Sequence, residues 1–237
     1  MSMRQLIPAL DAIASLRDQV LLLGSPLTAA ATLAELAGAS AVRIGVCEEL
    51  RPVTDNDLRD LRQVLRGFEL RMPPMPTLVK SALEARPDRV LLASEVRSSG
   101  HGGGPLDFTA WGSALPPVIR TLEEAGIEVA ARIPAHPEAV KAARTADLRA
   151  VELETGQLVD LPAQELRSAL EPFADAARLA AKLGLRVGLG GRLDGHRLLP
   201  FLEAAPGAEW VAVGREWVAR SLLVGIDGAT RDLRSLL

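Results

Sequence analysis

Short apolar runs alternate with longer amphipathic patterns along this chain, and that alternation restricts the fold more than any other feature. The strand-like runs fall at 5–10, 41–46, 68–72, 89–93, 127–133, 150–153, 185–189 and 210–213. Between them, apolar residues recur at helical spacing over 28–38, 54–66, 76–86, 116–125, 137–145, 164–183 and 196–204, and a last helix closes the chain. Gly38, Gly67, Gly126 and Gly184 stand where helices end, the position at which glycine accepts a left-handed backbone without a Cβ penalty. Thr54 with Asp57 three residues on is a near capping box, which fixes where the second βα helix starts. Strand runs that are apolar without alternation suit strands covered on both faces. Eight strands alternating with helices in 237 residues predict a single (β/α)₈ TIM barrel spanning 1–237. An open doubly wound sheet is the alternative, but no G-x-G-x-x-G joins a strand directly to a helix; Gly100-His101-Gly102-Gly103-Gly104 does not qualify.

Composition excludes several classes of function. The formal net charge is −3 and the aromatic content 3%, with no basic run, so nothing points to nucleic acid. No apolar stretch approaches the roughly 20 residues of a membrane helix. Met1-Ser2-Met3-Arg4 leads straight into a strand without the features of a signal peptide, so a cytoplasmic protein that does not engage membranes is expected. Cys47 is the single cysteine, which excludes an intrachain disulfide and a thiolate cluster. No His/Asp/Glu group has metal-ligand spacing, and no metal or other cofactor is expected. Lys80, Lys141 and Lys182 lie away from strand ends, which argues against Schiff-base chemistry.

In a barrel of this kind, function resides on the loops after the C-terminal ends of the strands. Read in that order, Leu10-Asp11-Ala12-Ile13-Ala14-Ser15-Leu16-Arg17 resembles the first βα segment of the pyridoxine 5'-phosphate synthase family of vitamin B6 biosynthesis. The segment 53–63 resembles that family's second helix, and 123–129 and 151–156 its fifth and sixth strands. The resemblance runs nearly end to end. It implies a metal-free condensation of 1-deoxyxylulose 5-phosphate with 3-amino-2-oxopropyl phosphate, run by His and Glu acids and bases, in an oligomeric enzyme.

Position by position, most of the chemistry that the resemblance implies is missing. A catalytic His is expected at Gly45, a substrate-binding Arg at Cys47, another His at Pro52, a catalytic Glu at Arg71 and a proton-donating His at Gly191. At the first strand end Asn and His are replaced by Ala9 and Ala12, leaving Asp11; at the eighth a His is replaced by Arg215. Glycine carries no proton, and a guanidinium stays protonated and cannot act as a base. Each lost acid or base costs about 10²–10⁴-fold in rate. The expectation is therefore a divergent member without the synthase activity. An active synthase with relocated groups, and a different enzyme acting on a phosphorylated metabolite through Glu152, Asp11 and Arg71, remain as alternatives.

The catalytic candidates are Glu152, which matches a charge-stabilising family glutamate, and His101 in the glycine-rich loop, read either as part of a lid or as a plain polar loop. Glu152 has a second reading, as the centre of an internal ion pair with Arg43 or Arg71. Glu154 is taken to face away from the barrel interior, so that the two do not form a carboxylate pair. Asp11, Thr155, Gly156, Gly190, Gly191, Gly214 and Arg215 are the candidates for holding a phosphorylated small molecule or inorganic phosphate. Cys47 is read as a buried thiol or as a nucleophile activated by a nearby arginine. His136 and His196 are read as capping or solvated residues.

Overall fold

The computed structural model describes residues 3–19, 26–48, 53–94 and 103–237. Eight parallel strands form the sheet: β1 (Gln5–Pro8), β2 (Val42–Gly45), β3 (Phe68–Met72), β4 (Arg89–Leu92), β5 (Glu128–Ile133), β6 (Ala150–Glu154), β7 (Arg186–Gly190) and β8 (Trp210–Val213). Their order is β1-β8-β7-β6-β5-β4-β3-β2. A parallel bridge between Ala9 and Arg43, with Leu10 N donating to Arg43 O at 2.9 Å, joins the two ends and closes the barrel.

Helices occupy the connections: α1 (Asp11–Gln19), α2 (Pro26–Leu36), α3 (Asp55–Val64), α4 (Pro76–Ala85), α5 (Phe108–Trp111), α6 (Leu115–Glu124), α7 (Pro137–Thr145), α8 (Ala163–Lys182), α9 (Leu198–Ala204) and α10 (Arg215–Arg234). Leu115, Val118, Ile119 and Leu122 of α6 show why they pack as they do: the three- and four-residue spacing puts all four on one buried stripe. The main core lies between this helical ring and the outer faces of the strands. A smaller apolar cluster, Ile7, Leu91, Ala130, Ala150, Trp210 and Ala212, sits inside the barrel.

The expected strands are all present; β3 and β8 match at both ends, and the others have ends moved by one or two residues. Two of these shifts bear on the site: β6 continues to Glu154 and β7 to Gly190, each a residue beyond its apolar run. Two helical expectations need correction. The short helix after β7 starts at Leu198, because Asp194 turns the chain by accepting from the amides of His196 and Arg197 at 2.9 and 2.8 Å. The last helix is not continuous, since Gly225 at φ 78°, ψ 161° breaks it into 215–224 and 226–234.

The capping box is complete. Thr54 Oγ1 accepts from Asp57 N at 3.2 Å, and Asp57 Oδ2 accepts from Thr54 N at 2.8 Å. Thr54→Ala removes the first of these and is expected to lower stability by about 0.5–2 kcal/mol, read as a shift of thermal midpoint. An unchanged midpoint would show that α3 is held by packing alone.

Candidate functional site

Six charged strand residues are buried inside the barrel, where apolar side chains usually fill the space. Arg43, Glu69, Arg71, Arg89, Arg132 and Glu152 are all buried. Glu152 is the hub, with 0% of its surface exposed. Arg43 donates to it through Nη1 at 3.0 Å and Nη2 at 2.5 Å. Arg132 donates through Nε at 3.0 Å and Nη2 at 2.7 Å, and Trp210 through Nε1 at 3.0 Å. Arg43 also binds Glu69, which accepts from Arg89 at 3.3 Å, and the Arg89 guanidinium lies 4.2 Å from the centre of the Trp210 ring. Burial alone would raise the Glu152 carboxyl, but the charges of Arg43 and Arg132 outweigh it and hold the group well below the usual carboxylate range.

Above this lattice, at the C-terminal end of the strands, opens a cavity of about 260 Å³. Five arginines line it, Arg43, Arg71, Arg132, Arg192 and Arg215, against three carboxylates, Asp11, Glu154 and Glu216. Asp11 Oδ1 accepts from Gly45 N at 2.9 Å and from Arg71 Nη2 at 3.0 Å, which fixes the Arg71 side chain over the second strand end. Arg192 is bound by Asp160, which also accepts from Arg197 at 3.2 Å. Arg215 is exposed at the first turn of α10 and has no carboxylate partner among the described residues. Its N-cap is Gly214, and no side chain caps that helix end.

Glu154 corrects the sequence expectation. Residues two apart on a strand share a face, because side chains alternate with a period of two. Glu154 therefore points into the barrel with Glu152, one layer higher, and lines the cavity. Its Oε1 accepts from Gly156 N at 2.7 Å, and Arg132 Nε lies 3.5 Å from Oε2. Burial pushes its carboxyl up, against the pull of Arg132 and the Gly156 amide.

Of the phosphate-site candidates, Asp11, Gly156, Gly191, Gly214 and Arg215 line the cavity. Thr155 is fully buried and braces the floor: its amide donates to Gly190 O at 2.9 Å and its hydroxyl bonds the carbonyls of Gly190 and Gly191. Gly190 gives the room that Glu152 occupies, since a Cβ there would collide with the carboxylate. Glu152 itself is sealed beneath the cavity. Its ionic partners are Arg43 and Arg132; Arg71, the other partner considered from the sequence, binds Asp11 instead. Cys47 is buried and does not line the cavity. His136 caps α7, its Nδ1 accepting from Ala139 N at 3.2 Å. His101 and Pro52 lie outside the described residues.

Comparison with known proteins settles the ancestry. A profile of the family described as pyridoxal phosphate biosynthesis protein PdxJ matches residues 8–237. The chain is 34% identical over 230 residues to a pyridoxine 5'-phosphate synthase of Synechococcus sp. (strain JA-2-3B'a(2-13)), covering 96% of each chain. The chain belongs to the pyridoxine 5'-phosphate synthase family. A second relative of that name, from Gloeothece citriformis (strain PCC 7424), is 32% identical over 95% of this chain and 94% of its own. Among solved structures, a tryptophan synthase chain from M. tuberculosis superimposes with a TM-score of 0.63 at 14% identity, over 98% of this chain and 93% of that one. That likeness speaks for the barrel fold alone.

The geometry bears on the two positions, Gly45 and Gly191, at which the family resemblance implies histidines. A Cβ built at Gly45 would run into Arg71 Nη2 and Asp11 Oδ1. One built at Gly191 would run into Glu154 Oε1, and Gly191 has φ +115°, a conformation that side chains rarely adopt. The space into which side chains at 45 and 191 would project is thus filled by an Asp11–Arg71 pair and by Glu154. Sequence reasoning missed Glu154, Arg132 and Arg192. The period-two spacing of Glu152 and Glu154 was the signal for the first. For Arg132 the signal was a charged residue near the end of an otherwise apolar strand.

Proposed function

We propose that this chain holds a phosphorylated small molecule at the C-terminal mouth of its barrel and does not run the family's condensation through the family's acids and bases. The observation that carries the reading is the convergence of Arg215, Gly214, Gly191 and Arg192 on one cavity whose arginines outnumber its carboxylates. The N-terminus of α10 presents backbone N–H groups with no side chain to cap them, and such a helix end favours an anion. Arg215 is the cation there with no carboxylate partner among the described residues, and a guanidinium fork matches a phosphate in geometry as well as charge. The loss of synthase activity rests on the filled positions at Gly45 and Gly191 and on Arg71, which cannot accept a proton.

Titration of the purified protein with inorganic phosphate, followed by calorimetry, tests the binding half. Wild type is expected to bind one equivalent, and Arg215→Ala to weaken binding about tenfold or more, the loss of one charge-assisted hydrogen bond of roughly 1.5–3 kcal/mol. No binding by wild type, or equal binding by the variant, would refute the site.

A further inference from the structure

We propose that Glu154 is a general base that removes the proton from the carbon beside the carbonyl of a small phosphorylated hydroxyketone held in this cavity, with Arg71 taking the charge that develops on the carbonyl oxygen. The inference rests on the phosphate reading above and adds a reaction to it.

Three observations carry it. Glu154 is a cavity-wall carboxylate that is held yet still reachable and, unlike Asp11, is not bound to the Arg71 guanidinium. Its side chain is 12% exposed, and its two partners among the described residues, Gly156 N and Arg132 Nε, leave acceptor capacity on a group with about four lone-pair sites. Glu152, by contrast, takes five donors and has no exposed surface. Second, the Glu154 carboxylate occupies the place to which a side chain at 191 would project, so the chain has put a proton-accepting group there from the neighbouring strand. Third, the Arg71 side chain is only 8% exposed and lines the same cavity, yet it makes one side-chain hydrogen bond among the described residues, Nη2 to Asp11. Among the described residues its remaining N–H donors have no hydrogen-bond partner and are not sealed from the cavity, which leaves them available to an oxyanion, and its charge is felt at Glu154.

In the step itself, the C–H bond beside the carbonyl breaks and its proton passes to the Glu154 carboxylate. The C–H electron pair becomes the C=C bond of an enediolate, and the carbonyl π pair moves onto oxygen beside Arg71. Return of a proton to carbon completes the cycle, so no oxidant, reductant or second substrate enters. Burial raises Glu154, which moves its basicity toward neutral pH, where a general base works best.

Exchange of the carbon-bound hydrogens of dihydroxyacetone phosphate in D₂O, followed by proton NMR, tests this. Inorganic phosphate binding is measured on the same samples. Wild type is expected to catalyse exchange. Glu154→Gln, prepared identically, should lose it by about 10²-fold or more while binding phosphate within about twofold of wild type. Glu154→Asp should recover part of the rate, and Arg71→Met should lower the maximal rate of exchange. Phosphate binding without exchange, or exchange equal in wild type and Glu154→Gln, overturns the role of Glu154 and leaves the phosphate site standing. Failure of wild type to bind phosphate overturns both readings. Thermal melts of each variant separate lost chemistry from lost folding.

Discussion

Replacing Glu152 by alanine is expected to lower stability by about 3–5 kcal/mol, because it strands two buried guanidiniums. Arg43 and Arg132 each donate twice to this carboxylate, and Trp210 donates once. Glu69 still faces Arg43, but among the described residues the partners left to Arg132 are Glu154 at 3.5 Å and the Gly103 carbonyl at 2.8 Å. For a chain of this length the loss corresponds to a fall of about 6–20 °C in thermal midpoint, at roughly 2–4 °C per kcal/mol. Urea unfolding would read the same quantity, and a loss under about 1 kcal/mol would mean that the lattice relaxes around the gap. The pH dependence has a definite sign. The folded Glu152 is held below its ordinary value of 4.5. Its contribution is therefore complete above about pH 4.5 and is lost as pH falls through the depressed folded value. Wild type should lose stability more steeply than Glu152→Ala on acidification below that point. Glu154 works the other way. Its folded value is raised, so its contribution is present below 4.5 and declines as pH rises through the folded value.

Restoring a side chain at Gly191 is the second large effect. Gly191→Ala places a Cβ on the Glu154 carboxylate and forces a non-glycine residue to φ +115°. Overpacking alone typically costs about 1–3 kcal/mol, and the incompatible backbone adds to it. Gly191→His, which introduces the residue that the family resemblance implies there, should be at least as harmful, since the imidazole has no room beside Glu154. The double variant Gly191→Ala, Glu154→Ala isolates the collision. It should be less destabilised than the sum of the single variants, because the steric component disappears and the backbone component remains. Strict additivity in chemical denaturation would show that the two side chains do not compete for the same space.

Much of the architecture could be read before the structure. The 3.6-residue stripe of α6 and the Thr54–Asp57 cap mark those helices locally, and the continuous apolar run of β3 marks a strand buried on both faces. Local signals of that kind do not depend on partners far away in sequence. The site was legible in part. Glu152, Asp11, Gly191 and Arg215 were named from the strand ends, and four of the five named glycine and arginine positions after strands six, seven and eight line the cavity. Of the ionic lattice, only the Arg43–Glu152 pair was among the readings of the sequence; the other members meet only through strand register, as Arg132 meets Glu152. Glu154 was misplaced through the strand's period. Gly225 could not be distinguished from a tolerated helical glycine, because nothing in its neighbours requires the chain to turn there.

The proposed change is one exchange of chemistry within a retained fold: the side chains that the family resemblance implies at 45 and 191 are absent, and Asp11–Arg71 and Glu154 fill the space into which they would project. The most direct measurement is formation of pyridoxine 5'-phosphate by the purified protein from 1-deoxyxylulose 5-phosphate and 3-amino-2-oxopropyl phosphate, each at saturating concentration. The expected result is no product above the protein-free rate, from a sample that still binds phosphate. Product formation that scales with protein concentration and disappears in Glu152→Gln would contradict it, and would mean that the family's reaction survives on relocated groups.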